Sequence, residues 1–466
     1  MPQNFLSCDR EQELLLPPSL REWLPEDHLA WFIVDAVAQF DLAGFYAAYR
    51  ADGHGRAAHD PSMMLALLLY AYSVGVRSSR VIERRCVEDV AFRVIAANQV
   101  PDHTTIARFR QRHQQALADL FGDVLALCAE AGLVRVGVVA VDGTKLHASA
   151  SKFAARSYEQ IVEEILAEAM ATDAAEDEQF GEDRGDELPG DLRSRQGRRG
   201  WLREAKQRLE ERRANEARPI PKSRPDRLLE AKRRLEEEHR TELQANADYE
   251  AYRARGIRHD GGKLGRGPTA FKPPEAPAGS INLTDLDSRR IRSPKGPAQA
   301  YNCQAVCTED QIVLAAELTT ASPDFGLLEP MLQAARRELT RARVEQAAEI
   351  VLADAGYWHG EQMDRIAATG TIVLAPPDAS TRRGARPGWD GGRYAFLRSV
   401  LATDQGRELY AKRQGMIEPV FGNTKFNRGY DRFSRRGRAA CRSEWRLITA
   451  THNLLKLHRA SLPAPA

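Results

Sequence analysis

Two carboxylates follow apolar, strand-like runs in this sequence. Residues 134–141 are rich in β-branched side chains and are followed by Asp142, and residues 350–353 are followed by Asp354. If these strands lie side by side, the two acids come together, and close carboxylates repel unless a cation lies between them. Ligands that are all oxygen favour Mg²⁺ or Mn²⁺ over zinc. The pattern predicts a site for two divalent ions suited to phosphodiester chemistry.

A third acid is expected from a helix that crosses the strand ends. Glu418 lies in a run that also contains Tyr410, Arg413 and Lys425. Arg413 can bind a phosphate through its forked guanidinium. Lys425 follows Glu418 by two helical turns and can share its face as a point charge. Taken singly, each acid is better explained as a helix cap or a surface charge, so the combination carries the prediction.

The end of the chain is strongly basic, although the net charge of all 466 residues is only +2. Residues 405–459 contain 13 bases and four acids. Such unbalanced positive charge indicates a surface for phosphates. The predicted sequence-independent DNA contacts are Arg435 and Arg436, together with Arg428, Arg432 and Arg438.

Residues 25–130 have the apolar periodicity of a helical domain. Asp102 can cap a helix in which Ile106 and Phe109 share one side, while Arg108 and Arg110 lie elsewhere. A basic helix that follows a short turn is typical of a helix-turn-helix domain, which recognises bases in the DNA major groove. A basic helix of a small bundle explains the pattern equally well, so both interpretations stay open here.

From residue 134 the pattern indicates a mixed α/β sheet. The predicted order is a strand, a hairpin over 301–318, a helix near 324–342, a strand at 349–354, a helix over 360–368 and a strand over 371–375. Helices near 404–427 and 438–458 close the chain.

About 150 residues separate the first strand from the hairpin. Leucines at seven-residue spacing, Leu202 with Leu209 and Leu228 with Leu235, predict two antiparallel helices there, behind an acidic helix at 158–170. A stretch rich in Gly and Pro at 256–279 predicts a flexible return loop. The expected domains are a helical DNA-binding domain over 1–130, a catalytic domain over 131–155 and 280–460, and a charged helical insertion with its return loop over 156–279.

Several motifs together resemble the DDE transposases of bacterial insertion sequences. They are Asp-Gly-Thr at 142–144, Asp-Ala-Gly-Tyr at 354–357 and the run from Tyr410 to Lys425. The stretch after Pro101 and NLTDLDSRRIRSPKGPAQAYNCQAV at 282–306 resemble the group named insertion sequence eleven-eighty-two. Four residues separate Arg413 from Glu418 here, where related transposases often have three. The insertion after the first strand also differs from transposases whose insertion precedes the final helix.

The resemblance implies an RNase H-like catalytic core with Asp142, Asp354 and Glu418 as ligands of Mg²⁺ or Mn²⁺. It implies that Tyr410, Arg413 and Lys425 bind the DNA end. The expected activity is that of a transposase, homodimeric on double-stranded DNA, which cleaves the ends of its element and joins the 3′ ends to target DNA. Two alternatives stay open: a domesticated DNA-binding regulator without catalysis, against which the three acids argue, and a nuclease that cuts without joining.

Other classes of protein are disfavoured by the sequence. It has no GxSxG nucleophile elbow and no Walker lysine motif, so neither a Ser-His-Asp hydrolase nor a nucleotide cofactor is expected. The six cysteines form no CxxC pair, which argues against a zinc ribbon or a disulfide scaffold. No signal peptide or membrane-length apolar run is visible, so a bacterial cytoplasmic, nucleoid-associated location is expected.

Overall fold

The computed structural model describes residues 19–49, 57–165, 202, 205–206, 208–213, 221–254, 274, 276–293, 296–321, 324–378 and 391–462. The predicted return loop at 256–279 and the second half of the predicted acidic helix lie mostly outside these residues. The first part of the chain is helical: α1 (Leu29–Val37), α2 (Ala43–Tyr46), α3 (Pro61–Ser73), α4 (Ser79–Glu88), α5 (Val90–Ile95), α6 (His103–Arg112) and α7 (Gln114–Glu130).

Polar caps start several of these helices, and the predicted cap at Asp102 is confirmed. Asp60 accepts a hydrogen bond of 2.8 Å from the Ser62 amide, with Pro61 in the first turn of α3. Asp102 accepts hydrogen bonds of 2.9 Å from the amides of Thr104 and Thr105 at the start of α6. The local capping chemistry therefore fixes where these helices begin.

A mixed sheet follows. Its strands are β1 (Val138–His147), β4 (Arg289–Ser293), β5 (Gly296–Thr308), β6 (Val313–Thr319), β7 (Ile350–Leu352) and β8 (Ile372–Leu374), whereas β2 (Ala155–Ser157) and β3 (Ser280–Asn282) form a separate pair. The order is β4-β5-β1-β7-β8, and β6 also pairs with β5. β1 is antiparallel to β5 and parallel to β7, and β7 is parallel to β8. The predicted mixed α/β sheet is confirmed.

The remaining helices are α8 (Arg224–Ala254), α9 (Leu328–Arg341), α10 (Gly360–Ala368), α11 (Gly392–Ala402), α12 (Asp404–Gly422) and α13 (Arg438–Ser461), with a π-helical turn at Asn423–Asn427. α13 packs on α3, α7 and β6. Side chains of the N-terminal helices and of the sheet, such as Leu68, Phe121, Val141 and Leu314, form one continuous hydrophobic core. The helical region is therefore built onto the sheet through α13.

Proline interrupts the hydrogen bonding of α12, the helix that carries the predicted third acid. Pro419 has no amide hydrogen to donate to the carbonyl of Gly415, four residues earlier. The side chain of Gln311, from the turn between β5 and β6, donates a hydrogen bond of 3.0 Å to that carbonyl instead. The sheet thus compensates for the proline and fixes the position of α12.

The insertion contains the two antiparallel helices that the leucine spacing predicts. Arg213 binds Glu237 and Glu238 of α8 at 2.8 and 2.7 Å, and Lys206 binds Glu242, so the two helices run in opposite directions. Leu228 and Leu235 lie in a small second core with Ile161, Ile281 and Leu286.

Two acids of the 282–306 stretch, the buried Asp285 and the partly buried Asp287, tie this insertion to α13. Asp287 binds Arg234 of α8 at 2.6 Å and accepts a hydrogen bond of 2.7 Å from the Arg438 amide. Asp285 accepts hydrogen bonds from the Tyr301 hydroxyl at 2.8 Å and the Gly437 amide at 3.2 Å. This part of the stretch therefore has a structural role.

None of the helices in the described part of the chain is long and apolar enough to cross a membrane. The cysteines there, which are Cys86, Cys128, Cys303, Cys307 and Cys441, are buried free thiols.

Candidate active site

Asp142 lies within β1 rather than at its end, which corrects the expectation from the sequence. β1 continues to His147 because β5 pairs with it along this whole length. The parallel partner β7 pairs with β1 only as far as Ala140, which lies opposite Leu352. Asp142 and Asp354 each come two residues after that last parallel pair. Because parallel strands run in the same direction, equal offsets place the two acids at the same edge of the sheet.

Asp354 caps a turn and faces the same region as Asp142. Its Oδ1 accepts a hydrogen bond of 2.7 Å from the Gly356 amide and starts the 3₁₀ turn Ala355–Tyr357. Burial raises the pKa of Asp142, and the negative charge of Asp354 contributes to the increase, against the lowering effect of Arg413. The two carboxylates are therefore close enough to repel. Asp354 caps a turn and also lies at the candidate site, so the two explanations for this acid are compatible.

Arg413 of α12 contacts the acidic pair directly. Its Nη1 donates a hydrogen bond of 2.7 Å to Asp142 Oδ2, and only 12% of the Arg413 side chain is exposed. Its Nε is buried without a hydrogen-bond partner in the described part of the chain. The Tyr410 ring centroid lies 6.0 Å from Arg413 Cζ, and burial raises the pKa of Tyr410. The structure thus brings Tyr410 and Arg413 to Asp142.

Glu418 does not join Asp142 and Asp354 in this conformation. Its side chain is exposed. Glu418 is five positions after Arg413 in the chain. A step of five residues in an α-helix is one full turn plus about 140°. Arg413 and Glu418 therefore project in different directions, and α12 presents Arg413 to the sheet. No group of three His, Cys, Asp or Glu residues in the described ranges is arranged to hold a metal ion.

Lys425 lies beyond the end of α12, in the π-helical turn, and is half-buried. Burial lowers its pKa, and the charge of Lys145 in β1 lowers it further. The change from α- to π-helix between Glu418 and Lys425 removes the regular two-turn spacing expected from the sequence. Lys425 consequently lies near β1 and β5, while Glu418 faces solvent.

Sequence reasoning missed a buried polar network beside the acids. Asp324 Oδ1 accepts hydrogen bonds from the side-chain amides of Asn302 at 2.8 Å and Gln304 at 2.7 Å. The Tyr357 hydroxyl donates to the Gln304 side chain. The available signal was the alternation of two polar amides in a strand otherwise made of apolar residues.

Gly143 makes space for this network. A Cβ atom at Gly143 would lie 2.1 Å from Gln304 Nε2 and 2.9 Å from Asp324 Oδ1. The glycine of the Asp-Gly-Thr motif is therefore required by the close approach of side chains from β5 and from the segment before α9.

The two arginines predicted to read DNA from α6 have different environments. Arg108 is exposed. It lines, with Arg80, His103, Thr104 and Gln111, a groove of about 480 Å³ between α4 and α6. Arg110 is only 8% exposed and donates hydrogen bonds to the Arg77 carbonyl at 2.7 Å, to Ser79 and to the Tyr72 hydroxyl. Arg110 therefore holds the helices together, and the expectation that it contacts DNA is corrected.

The basic C-terminal residues are also divided between core and surface. Arg428 is buried and donates to Thr451 and to the Ile448 carbonyl. Arg435 is half-buried and donates to Gln114 at 2.7 Å, and Arg438 pairs with Glu210 at 3.5 Å. Arg432 and Arg436 are exposed. Part of the positive charge that the sequence assigns to DNA is therefore used inside the fold.

Comparison with known protein families gives two matches. Residues 18–112 match a transposase domain family, DUF772, and residues 394–458 match a transposase DDE domain family. No curated protein and no solved structure matches the chain significantly. The first match contains α6 with Arg108, and the second contains Tyr410, Arg413, Glu418 and Lys425. These matches at the two ends of the chain support its resemblance to the DDE transposases of insertion sequences.

Proposed function

We propose that this transposase binds the ends of its insertion sequence, cleaves phosphodiester bonds there and joins the 3′ ends to target DNA. The observation that carries the proposal is the equal offset of Asp142 and Asp354 from the last parallel pair, with Arg413 on Asp142. Two carboxylates that repel each other and a guanidinium, a group able to bind phosphate, at one edge of the sheet support this proposal. The mixed sheet, with β1 antiparallel to β5 and parallel to β7, is compatible with an RNase H-like core.

Asp142 and Asp354 fit a hard divalent cation, because both offer carboxylate oxygens and their mutual repulsion is relieved by positive charge. We infer that they hold Mg²⁺ or Mn²⁺, with two ions in the working site and Glu418 as the third acid. Such ions supply charge stabilisation at the attacking and leaving oxygens. From its exposed position, Glu418 reaches the other two acids only if α12 rotates, so we place its contribution in the DNA-bound state.

The chain's own basic residues position the DNA in this proposal. Arg413 releases its Nη1 contact with Asp142 and forks onto a phosphate through its guanidinium, whose Nε has no hydrogen-bond partner in the described part of the chain. Lys425 adds a point charge that acts on Cys303 of β5 and Lys145 of β1. Arg108 reads base edges from the exposed face of α6, and Arg436 binds phosphates without reading sequence. We propose that two copies act together on the paired ends, in the bacterial cytoplasm where the element resides.

The decisive experiment measures nicking of a supercoiled plasmid that carries the gene with its flanking DNA, in the presence of Mg²⁺ or Mn²⁺. Asp142→Asn, Asp354→Asn and Glu418→Gln should each abolish nicking while leaving the melting temperature and DNA binding nearly unchanged. Glu309→Gln, an exposed acid in the β5–β6 turn, serves as the matched control and should nick normally.

Three results would replace the proposal. Nicking at the wild-type rate in both Asp142→Asn and Asp354→Asn would remove these acids from catalysis. Binding without any nicking by the wild-type protein would instead indicate a DNA-binding regulator. Cleavage without joining to an added target duplex would indicate a nuclease.

A further inference from the structure

Lys145 lies on β1 three residues after Asp142 and is held by an acid from another part of the chain. Its Nζ lies 3.4 Å from Oδ1 of Asp324. The two side chains are 21% and 18% exposed, so the pair borders solvent at the edge of the acidic site. An ion pair in this position is neither a fully exposed surface contact nor a sealed core contact.

Asp324 has a fixed position because three donors converge on one of its oxygens. Besides Lys145, the amides of Asn302 and Gln304 donate to Oδ1 at 2.8 and 2.7 Å. Both amide side chains are almost completely buried in β5. Buried and satisfied polar groups of this kind resist rotation, since any movement leaves a donor without its acceptor.

The same network reaches the chain neighbours of both Asp142 and Asp354. Asp324 Oδ1 would lie 2.9 Å from a Cβ atom on Gly143, the residue next to Asp142. Gln304 accepts a hydrogen bond from Tyr357, which ends the turn that Asp354 caps. Asp324 therefore connects β1, β5 and the turn after β7, and it orients the ammonium group of Lys145 relative to all of them.

The positive charge of Lys425, in the π-helical turn after α12, acts on Lys145. Lys145 pairs in register with Asn302, and the preceding residue, Thr144, pairs with Cys303. Lys145 lowers the pKa of Lys425 and Cys303 raises it, so the two ammonium groups repel each other through this part of the sheet. Two ammonium groups at one edge of a site form a point of high positive potential, which an anionic phosphate oxygen neutralises.

We propose that Lys145 binds a phosphate of the DNA strand at this site and that Asp324 is the positioning residue that holds the Lys145 ammonium group at the edge of the acidic site. This inference rests on the proposed function. Asp324 is better suited to positioning than to metal binding, because its inward oxygen already accepts from three donors and one of them is a cation.

The test is the salt dependence of binding to a duplex of random sequence, measured by fluorescence anisotropy with the full-length protein. One lost phosphate contact lowers the slope of log K against log salt by about 0.9. Lys145→Gln should show this decrease, Lys145→Arg should restore the wild-type slope, and Asp324→Asn should reproduce most of the decrease. In the double variant the slope should equal that of Lys145→Gln alone, because Asp324 acts through Lys145.

Lys412 and Glu309 provide the matched control pair. They form an ion pair of 2.8 Å between α12 and the β5–β6 turn, and their substitution by Gln should leave the slope unchanged. An unaltered slope in Lys145→Gln would overturn the inference, and so would additive effects in the double variant. If Asp324→Asn does not fold, Lys145→Gln and Lys145→Arg decide the phosphate contact by themselves. Failure of the proposed function is seen separately, as nicking by Asp142→Asn or the absence of nicking by the wild-type protein.

Discussion

Arg413 Nη1 donates a hydrogen bond of 2.7 Å to Oδ2 of Asp142, across 271 positions of sequence. The guanidinium therefore occupies one oxygen of a carboxylate that we assign to metal binding. A cation and Arg413 compete for the same negative charge, so the release of Arg413 is coupled to the arrival of metal or DNA.

Substitution of Arg413 by Gln should tighten the binding of Mn²⁺ in the absence of DNA, because it removes this competing positive charge. We expect about a tenfold increase in affinity, which corresponds to about 1.4 kcal/mol. Isothermal titration calorimetry with Mn²⁺ measures the change, with Lys412→Gln on the same helix as the control and Asp142→Asn to identify the site. Unchanged or weaker Mn²⁺ binding in Arg413→Gln would show that Arg413 supports the metal site instead of competing with it.

Gly143→Ala should damage catalysis, since its Cβ would lie 2.1 Å from Gln304 Nε2. Overpacking of this kind costs about 1–3 kcal/mol in stability. A displacement of the acids by about 1 Å lowers the rate about 10²-fold. The matched control is Gly137→Ala, just before β1, where an added Cβ meets nothing within 4 Å. Plasmid nicking and thermal unfolding measure both effects, and equal behaviour of the two alanine variants would refute the packing argument.

Arg108 and Arg110 should respond differently to substitution by Ala. Arg108→Ala should lose about 1–3 kcal/mol of preference for the element's own ends, with an unchanged melting temperature. Arg110→Ala leaves the Arg77 carbonyl without its donor and should cost about 1–3 kcal/mol in stability. Competition binding and thermal melting separate the two. A loss of sequence preference in Arg110→Ala at full stability would contradict the assignment.

Substitution of Arg436 should change phosphate binding, whereas substitution of Arg428 should change the stability of the fold. Arg436 is exposed, with its Nε 2.9 Å from the Ser149 carbonyl, and Arg436→Gln should lower the salt slope by about 0.9. Arg428 is 6% exposed and donates to Thr451 at 2.8 Å, so Arg428→Gln should lower the melting temperature and leave the slope unchanged. If both variants change only the slope, Arg428 is accessible to DNA and our account of its burial is wrong.

His452 should make the protein less stable in mild acid. Its Nε2 donates to the Gln311 carbonyl at 3.0 Å, its Nδ1 accepts from Asn423 at 3.1 Å, and burial lowers its pKa to about 3. The unfolded chain has the ordinary histidine pKa of about 6.5. It therefore binds the extra proton first, and stability falls as the pH drops from 6.5 towards 3.

At pH 5 this effect amounts to about 2 kcal/mol relative to neutral pH. Urea unfolding at pH 7 and pH 5 measures it, and His452→Gln should show a smaller difference between the two conditions. An equal pH dependence in the two proteins would mean that other groups cause the acid sensitivity.

The sequence by itself determined where most elements begin and which residues carry the chemistry. Asp60 and Asp102 cap their helices because a cap is a contact between near neighbours in the chain. The strand, hairpin, helix, strand, helix and strand order followed from hydrophobic periodicity, which is likewise local. The two strand-associated acids and Arg413 were visible from residue type and spacing.

Only the tertiary structure decided which side chains meet. The register of β1 against β7 places Asp142 and Asp354 at equal offsets from the last parallel pair, and β5 extends β1 past the point where the apolar run ends. The orientation of α12 lets Arg413 contact Asp142 and leaves Glu418 exposed to solvent. Side chains about 140° apart on a helix cannot both face the sheet. Asp324 joins the site from a segment whose local sequence has no catalytic pattern. Such contacts depend on register and packing between distant segments, for which neighbouring residues carry no signal.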